Sequence, residues 1–460
     1  PLRAEVSELK AVVISAGTFE ASDKKKTTVL SPIDIVTTAS GNADVTGALK
    51  TLPGAQQVGE SEGLFVRGGT AAETKTFIDG TLVNNFFYSS VPNIAQRGRF
   101  SPFIFKGTVF STGGYSALYG QALSSALILE SIDLPEQTAG NLGVSVIGLS
   151  GGYQHLAKNK KSSWGVSYGY TDLWLAFLLN KQRQQYDRAP VFHTGDANFR
   201  IKTSKSGMLK YYGYFSANDM NFTTPSLDSL GYFDRFGLNN MNFYHNLSLR
   251  ENLGKKWKLN TGLSYTNNRD RIAGNMQDEN GGETVLQGLE FKTFRVKQKG
   301  HYVNGRVVTE RRFAGLNIIR FGGEYNFSED RTDYTAYNNQ LFTRSIKEHI
   351  KSVFAETDIY LTNNIAAKIG GRYEHSSLLN KSNIAPRVSV AYKTGKQSQA
   401  SLAYGIFYQN PETRYLPGSP SMNFTKATHY IAQYQKVTGQ ITFRTEIFYK
   451  KYQDLVKTTM

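Results

Sequence analysis

The sequence predicts an all-β membrane barrel preceded by a small mixed α/β domain. Three observations carry that prediction. The 460 residues include 43 Gly, 27 Tyr and 28 Phe, with aromatics at 13% and charged residues at only 20%; soluble domains carry about 25% charged residues. The longest apolar run, Leu173–Leu179, is far short of the roughly 20 residues a spanning helix needs. Beyond about residue 140 the chain alternates apolar and polar residues with a period of two, which is the pattern of a strand with two unlike faces. A large soluble β-sandwich or β-propeller competes on composition alone. A propeller, however, needs a repeat of about 40–50 residues per blade, and the segments here are too uneven. The absence of Cys removes disulfide scaffolds, Cys-based zinc sites, iron–sulfur clusters and thiol nucleophiles.

The first 139 residues hold about 11 Lys/Arg and 13 Asp/Glu, so nearly all of the +16 formal charge lies in the remainder. Its Lys clusters, Lys158–Lys161, Lys202–Lys205, Lys255–Lys258 and Lys393–Lys396, fall in short turns scattered along the chain. That reads as solvated turns, not as a nucleic-acid surface. Three regions follow: a leading segment and linker over 1–30, the mixed domain over 31–139, and the barrel over 140–460.

In the mixed domain, Val45–Thr51 is a short amphipathic helix with Asp44 as N-cap, ended by Leu52-Pro53-Gly54. Glu62–Val66 reads as a strand running into Gly68-Gly69, and Lys75–Ile78 as a strand closed by the turn dipeptide Asp79-Gly80. Ser116–Leu118, Gln121–Ser125 and Leu127–Glu130 form a helical turn leading into a strand.

In the barrel, Trp257, Leu259, Thr261, Leu263 and Tyr265 share one parity, as do Val353 through Leu361, Ala367 through Tyr373, Ala400 through Tyr408 and Ile441 through Tyr449. Hairpin signals join such segments at 205–207, 254–256, 362–364, 393–396 and 438–440. Long loops are expected at 172–195, 218–241, 267–291, 328–346 and 409–424. Short turns at one end and long loops at the other is the asymmetry of an outer-membrane barrel. About 15 antiparallel strands are counted from Asn141. An odd count cannot close a single-chain bacterial barrel, so the sequence is expected to be incomplete at its C-terminus.

Four pieces, in order, carry a resemblance to a known family. They are Ala48–Gly54, Val66-Arg67-Gly68-Gly69, Phe77-Ile78-Asp79-Gly80 and Lys106–Ile128. Set directly before a long alternating region, they make the chain resemble TonB-dependent outer-membrane receptors, a plug domain inside a partial barrel. Phe354–Tyr373 and Tyr404–Leu416 look like the Bacteroidetes type. The resemblance implies about 22 strands in the full protein, a Gram-negative outer-membrane location, and outer-membrane lipid and TonB with its inner-membrane energising complex as partners. A surface lipoprotein or other complex partner is a further expectation. Leu9, Lys10, Ala11, Val12, Val13, Ile14, Ser15 and Ala16 resemble the energy-coupling TonB box; the family usually has an acidic residue where Ala11 stands. The β-branched Val12, Val13 and Ile14 favour an extended segment that can add to a partner's sheet edge.

Cargo in such a barrel binds at the long-loop end, between plug apex and wall. Phe86, Phe87, Tyr88, Arg97, Arg99 and Tyr415 are the ligand-contact candidates, an aromatic and cationic set suited to a polar or anionic molecule. Phe103 belongs to the same plug stretch, and the loop residues Tyr232, Phe233, Tyr334 and Tyr337, like Tyr415, are weaker candidates. Arg67 is expected to anchor plug to barrel. Gly148-Leu149-Ser150-Gly151-Gly152 matches a nucleophile pattern by letter, but no helix follows it. The seven His are widely separated. No catalytic residue, metal site or intrinsic cofactor is expected. The function expected from the resemblance is TonB-dependent import of a scarce nutrient, with cargo bound on the extracellular side; the alternative is a barrel kept as an interaction component or enzyme scaffold without transport. Cargo identity stays open among iron chelates, haem, cobalamin, glycans and peptides.

Overall fold

The computed structural model describes residues 29–457 apart from 40, 42, 57, 59–62, 93, 95, 183, 396, 419–421 and 439–440. The TonB box-like run Leu9–Ala16 lies outside the described residues.

The mixed domain begins with strand β1 (Val29–Leu30) and helix α1 (Pro32–Thr37). Ser31 caps α1 reciprocally: the Asp34 amide donates to Ser31 Oγ at 3.2 Å and the Ser31 amide donates to Asp34 Oδ2 at 2.8 Å. Helix α2 (Val45–Leu49) starts where Asp44 accepts from the Gly47 amide, and it buries Val45, Ala48 and Leu49 at the i, i+3, i+4 spacing. The expected helix reached Thr51; the observed one closes two residues earlier, and the chain turns before Gly54, whose φ is +83°. There follow β2 (Ala55–Gln56), β3 (Phe65–Val66), β4 (Thr74–Ile78), β5 (Thr81–Leu82), β6 (Phe105–Ser111) and β7 (Ser125–Ser131). Five of these make one sheet in the order β1-β6-β7-β4-β5, with β4 and β7 parallel. Asp79 and Gly80 both have positive φ, at +48° and +92°, and form the β4–β5 hairpin turn.

Among the described residues a second, sixteen-stranded sheet forms the barrel wall. Its strands are β8 (Ala139–Ser145), β9 (Gly148–Leu156), β10 (Ser162–Asp172), β11 (Gln185–Ile201), β12 (Met208–Pro225), β13 (Phe233–Leu253) and β14 (Trp257–Gln277). The short β15 (Glu283–Thr284) pairs only with β14. The wall continues through β16 (Phe294–Ala314), β17 (Asn317–Ala336), β18 (Leu341–Tyr360), β19 (Ile365–Ser376), β20 (Lys381–Gly395), β21 (Ser398–Gln409), β22 (Thr425–Thr438) and β23 (Ile441–Gln453). Each pairs antiparallel with its chain neighbours, leaving β8 and β23 at the two edges. A helix, α3 (Trp174–Leu179), stands in the β10–β11 loop.

Several expected loops are strand. The connection expected at 218–241 reduces to residues 226–232, and the one at 328–346 to residues 337–340. The apolar alternation does stop there, because the strands leave the hydrocarbon layer. The backbone ladder does not: β17 pairs with β18 as far as Thr335↔Leu341. Loss of apolar pattern marked the edge of the membrane band, not the end of the strand.

The two faces separate as the parity requires. Leu263, Val353, Ile369, Leu402 and Ile447 are exposed on the outside, while Asn240, Asn268, Glu356, Arg372 and Glu374 are buried on the lumen side. The plug core of Ile35, Leu49, Leu64, Phe105, Leu127 and Leu129 is continuous with Tyr212, Tyr214 and Tyr244 of the β12–β13 wall. Burying one such Leu contributes about 1.5–3 kcal/mol.

Candidate functional site

The plug is held to the lumen wall along two flanks, each combining charged groups with neutral hydrogen bonds. On the β17–β20 flank the contacts are ionic. Glu356 Oε2 on β18 accepts from Ser116 Oγ at 2.8 Å and from the Ala117 amide at 2.9 Å. Arg387 on β20 donates from Nη1 to the carbonyls of Tyr115, Ser116 and Tyr119. Gln121 Nε2 donates to Glu374 at 3.1 Å, and Arg372 ties Glu374 at 2.7 Å to Glu324 at 2.8 Å. Gly120 faces this group without a side chain; a Cβ there would collide with Arg372 and Glu374. Burial pushes the Tyr115 phenol well up, so it stays a neutral donor beside Arg387.

On the β12–β14 flank ion pairs stand beside neutral amides and hydroxyls: Lys210 Nζ on β12 lies 3.0 Å from Asp133 and 3.7 Å from Asp79, and Arg250 on β13 lies 3.2 Å from Glu130. Asn246 Nδ2 donates to Thr81 Oγ1 at 2.7 Å. Arg99, only 4% exposed, donates from Nη1 to Ser216 Oγ at 2.8 Å and Asn240 Oδ1 at 3.1 Å, and from Nε to the Asn85 and Phe87 carbonyls. Burial lowers the Arg99 guanidinium from its ordinary value, opposed by Tyr214, Tyr88 and Asp270. Arg99 thus bridges plug and barrel.

The other sequence candidates separate. Phe86 is buried in the plug core against Phe87 and Phe100. Tyr88 is buried too, with its hydroxyl 3.2 Å from that of Tyr214 and its ring edge-on to Phe192. Arg97 is exposed, and its carbonyl accepts from the Tyr88 amide. Tyr415 is half-buried in the 3-10 helix Thr413–Gly418 of the β21–β22 loop. The base of that loop is bonded to the plug: Gln409 Nε2 donates to the Ala72 carbonyl and the Asn410 amide to Gln121 Oε1. Phe103 is exposed, away from these groups. Arg67 forms an ion pair with Glu446 on β23 and stacks its guanidinium 4.5 Å from the Phe448 ring. Beside it, a Cβ on Gly69 would come within 2.6 Å of Glu73 and Ser124, so only glycine fits that turn.

At the long-loop end the lumen face carries an aromatic wall. Phe294 and Tyr334 stack at 6.2 Å with 13° between planes, and Tyr334 meets Phe342 at 6.3 Å.

Two family models match this chain. The TonB-dependent receptor plug domain covers residues 23–126, and the TonB-dependent receptor-like β-barrel covers residues 176–458. The chain belongs to the TonB-dependent receptors. Solved structures agree on the fold. A ferric enterobactin receptor variant from Pseudomonas aeruginosa matches at 14% identity and a TM-score of 0.67, over 93% of this chain and 72% of its own. The alcaligin receptor of Bordetella pertussis matches at 12% and 0.66, over 98% and 75%. A siderophore receptor from Acinetobacter baumannii matches at 12% and 0.67, over 94% and 71%. No curated protein matches.

The receptor is therefore a TonB-dependent importer of the Gram-negative outer membrane, with TonB as partner; its family and fold are those of transporters and not enzymes. In barrels of this kind the short turns face the periplasm and the long loops the exterior. Sequence reasoning missed the ionic clasp of Glu356, Arg372, Glu374 and Arg387. The signal was present: Lys368, Arg372 and Glu374 occupy the parity opposite to Ile369, Gly371 and Tyr373, and an inward charge opposite a lipid-facing residue needs a lumen partner.

Proposed function

We propose that cargo binds at the extracellular mouth, between exposed Arg97 of the plug and the aromatic wall of Phe294, Tyr334 and Phe342. The class that fits is an anionic chelate with flat aromatic groups, which a guanidinium and stacked rings recognise together. Solved relatives include a ferric enterobactin receptor and a siderophore receptor, which supports an iron chelate as cargo. The observation that carries the reading is the stacked set of Phe294, Tyr334 and Phe342 at the long-loop end of the lumen face. TonB, holding Leu9–Ala16 by strand addition, would pull on a plug that is bonded to the wall on both flanks. Arg67 then acts as a plug anchor through Glu446.

Titrating ferric enterobactin and ferric alcaligin onto the purified receptor, read by quenching of intrinsic fluorescence, tests the mouth. Arg97→Gln and Tyr334→Ala are each expected to weaken binding about ten-fold, a loss of about 1.4 kcal/mol. Unchanged affinity in both variants, or no binding of either chelate, would sink this cargo class. Import itself is judged separately by the box deletion below.

A further inference from the structure

One ring of the aromatic wall is held by groups that do not face the mouth. Phe294 is the first residue of β16, and its ladder row gives its ring no support: the residues opposite are Gly274 on β14 and Ala336 on β17. The ring stacks instead on Tyr334, two residues along β17. Its other edge lies over Gly274, where an added Cβ would stand 2.6 Å from the ring's Cε1 and 2.9 Å from the Lys292 carbonyl oxygen. Gly274 has no positive φ, so glycine serves there by leaving space and not by its backbone freedom.

Just ahead of Phe294 the chain is tied down by Lys292, the last residue of the 3-10 turn Glu290–Lys292, whose side chain is 13% exposed. Lys292 Nζ lies 2.5 Å from Asp228 Oδ2 and 2.8 Å from Asp234 Oδ2, and it donates to Ser226 Oγ at 3.0 Å. An ammonium has three donors. These three residues match them, so Lys292 is satisfied inside the fold and is not a cargo ligand. Burial disfavours its charge, but the bonds to Asp228 and Asp234 outweigh that and hold the ammonium above its ordinary value.

Ser226 and Asp228 lie in the β12–β13 connection and Asp234 near the start of β13, whereas Lys292 leads into β16. The ion pairs therefore form a strap across β14, and the strap passes Gly274, beneath the Lys292 carbonyl. Gly274 is also the last residue of β14 that pairs with β16; beyond it β14 pairs on that side only with the short β15. Phe294 thus has no ladder above it, and strand ends of that kind open first. A contact that only closed a loop would not need a bare strand beneath it. Here the strap and the bare strand meet at one ring, two residues from Lys292.

We propose that Lys292 and Gly274 are positioning residues of the cargo wall: the Lys292 strap fixes the start of β16, and the bare Gly274 backbone seats the edge of Phe294, so that its face stands beside Tyr334 for a flat aromatic group of the ligand. The inference rests on cargo binding at this mouth and adds what gives the wall its selectivity for planar groups. Neither residue touches cargo; both act through the orientation of one ring, which a binding site needs held by the shell behind it.

The test is a double-mutant cycle on the purified receptor, read by titration with ferric enterobactin. Lys292→Met and Gly274→Ala are each expected to weaken binding about five-fold. In a Phe294→Ala background neither change is expected to weaken it further, because the ring they position is gone. Gly237→Ala, on the neighbouring strand with nothing nearer than 3.9 Å to its new Cβ, is expected to bind as the parent does. Unchanged affinity in both single variants, or full additivity of Lys292→Met with Phe294→Ala, would overturn the inference. A gel shift on heating confirms that each variant is folded, and Asp234→Asn opens the strap from the other side if Lys292→Met is not. Hydrogen exchange without ligand separates the strap from the cargo reading. Lys292→Met is expected to speed exchange of the amides of residues 290–296 at least about ten-fold, and Gly237→Ala to leave it unchanged. A parent that binds no chelate, or a Phe294→Ala variant that binds as well as the parent, fails the cargo reading alone; the strap is then judged on exchange, and unchanged exchange overturns it.

Discussion

Arg372 keeps its charge where water does not reach. It is 1% exposed, and it stands between Glu324 and Glu374 at 2.8 and 2.7 Å. Removing one member of such a group leaves the others buried and uncompensated, which costs about 3–5 kcal/mol. Arg372→Met is therefore expected to lower the calorimetric unfolding temperature clearly, and an unchanged melt would contradict the clasp. Asp133 shows the same logic at the plug's exit toward β8. Burial alone would raise its carboxyl, but Lys210 at 3.0 Å and Lys106 at 2.9 Å hold it well below its ordinary value of 3.8. A depressed carboxyl stabilises fully above the unfolded value and loses that contribution as pH falls toward the folded one. Asp133→Asn is thus expected to be less stable than the parent by a constant margin above about pH 5, with the margin shrinking in acid. A margin that grows in acid contradicts the pairing. Neither residue could be assigned from its neighbours in sequence, since Arg372's partner Glu324 lies two strands away along the chain.

At the level of elements, one plug turn and one strand pair decide how firmly the plug sits. Gly120 faces Arg372 and Glu374 with no room for a side chain. Gly120→Val is expected to push the Ser116–Gln121 turn off β18–β20 and to speed proteolysis of the plug in intact outer membranes. Gly371→Ala, where a Cβ meets nothing within 4 Å, is the matched control and is expected to change nothing. Equal rates for both variants would remove the turn from the account of anchoring. Much at this level was legible. Period-two alternation placed the strands, Gly254 and Asp79-Gly80 marked hairpins, and Asp44 marked α2. What was not legible has a physical cause. Above Tyr265 and Phe327 the outward residues become Asn267 and Glu329, so pattern alone ended the strands there while the hydrogen-bonded ladder of β14 runs to Gln277. Phe86 and Tyr88 show the converse. An aromatic run reads equally as a ligand surface or a core, and in the structure both rings are buried.

For the molecule as a whole, the charge asymmetry is divided by side. Lys-rich short turns face the periplasm, and inward charges hold the plug. The fold class and the family were visible because plug motifs and barrel alternation occur in one order along one chain. Of the proposed mouth, Arg97 and Tyr334 stood out by type, but Phe294 and Phe342 meet Tyr334 from neighbouring strands whose register no local pattern reports. With both flanks of the plug bonded to the wall, passage of cargo requires work delivered from the periplasm. The most direct measurement is growth of three strains under whichever nutrient limitation slows the receptor-deletion strain: parent, full deletion, and a strain lacking only residues 9–16. The box deletion is expected to grow as slowly as the full deletion while its receptor still reaches the outer membrane folded. Growth at the parental rate, with that receptor present, would contradict TonB-driven import.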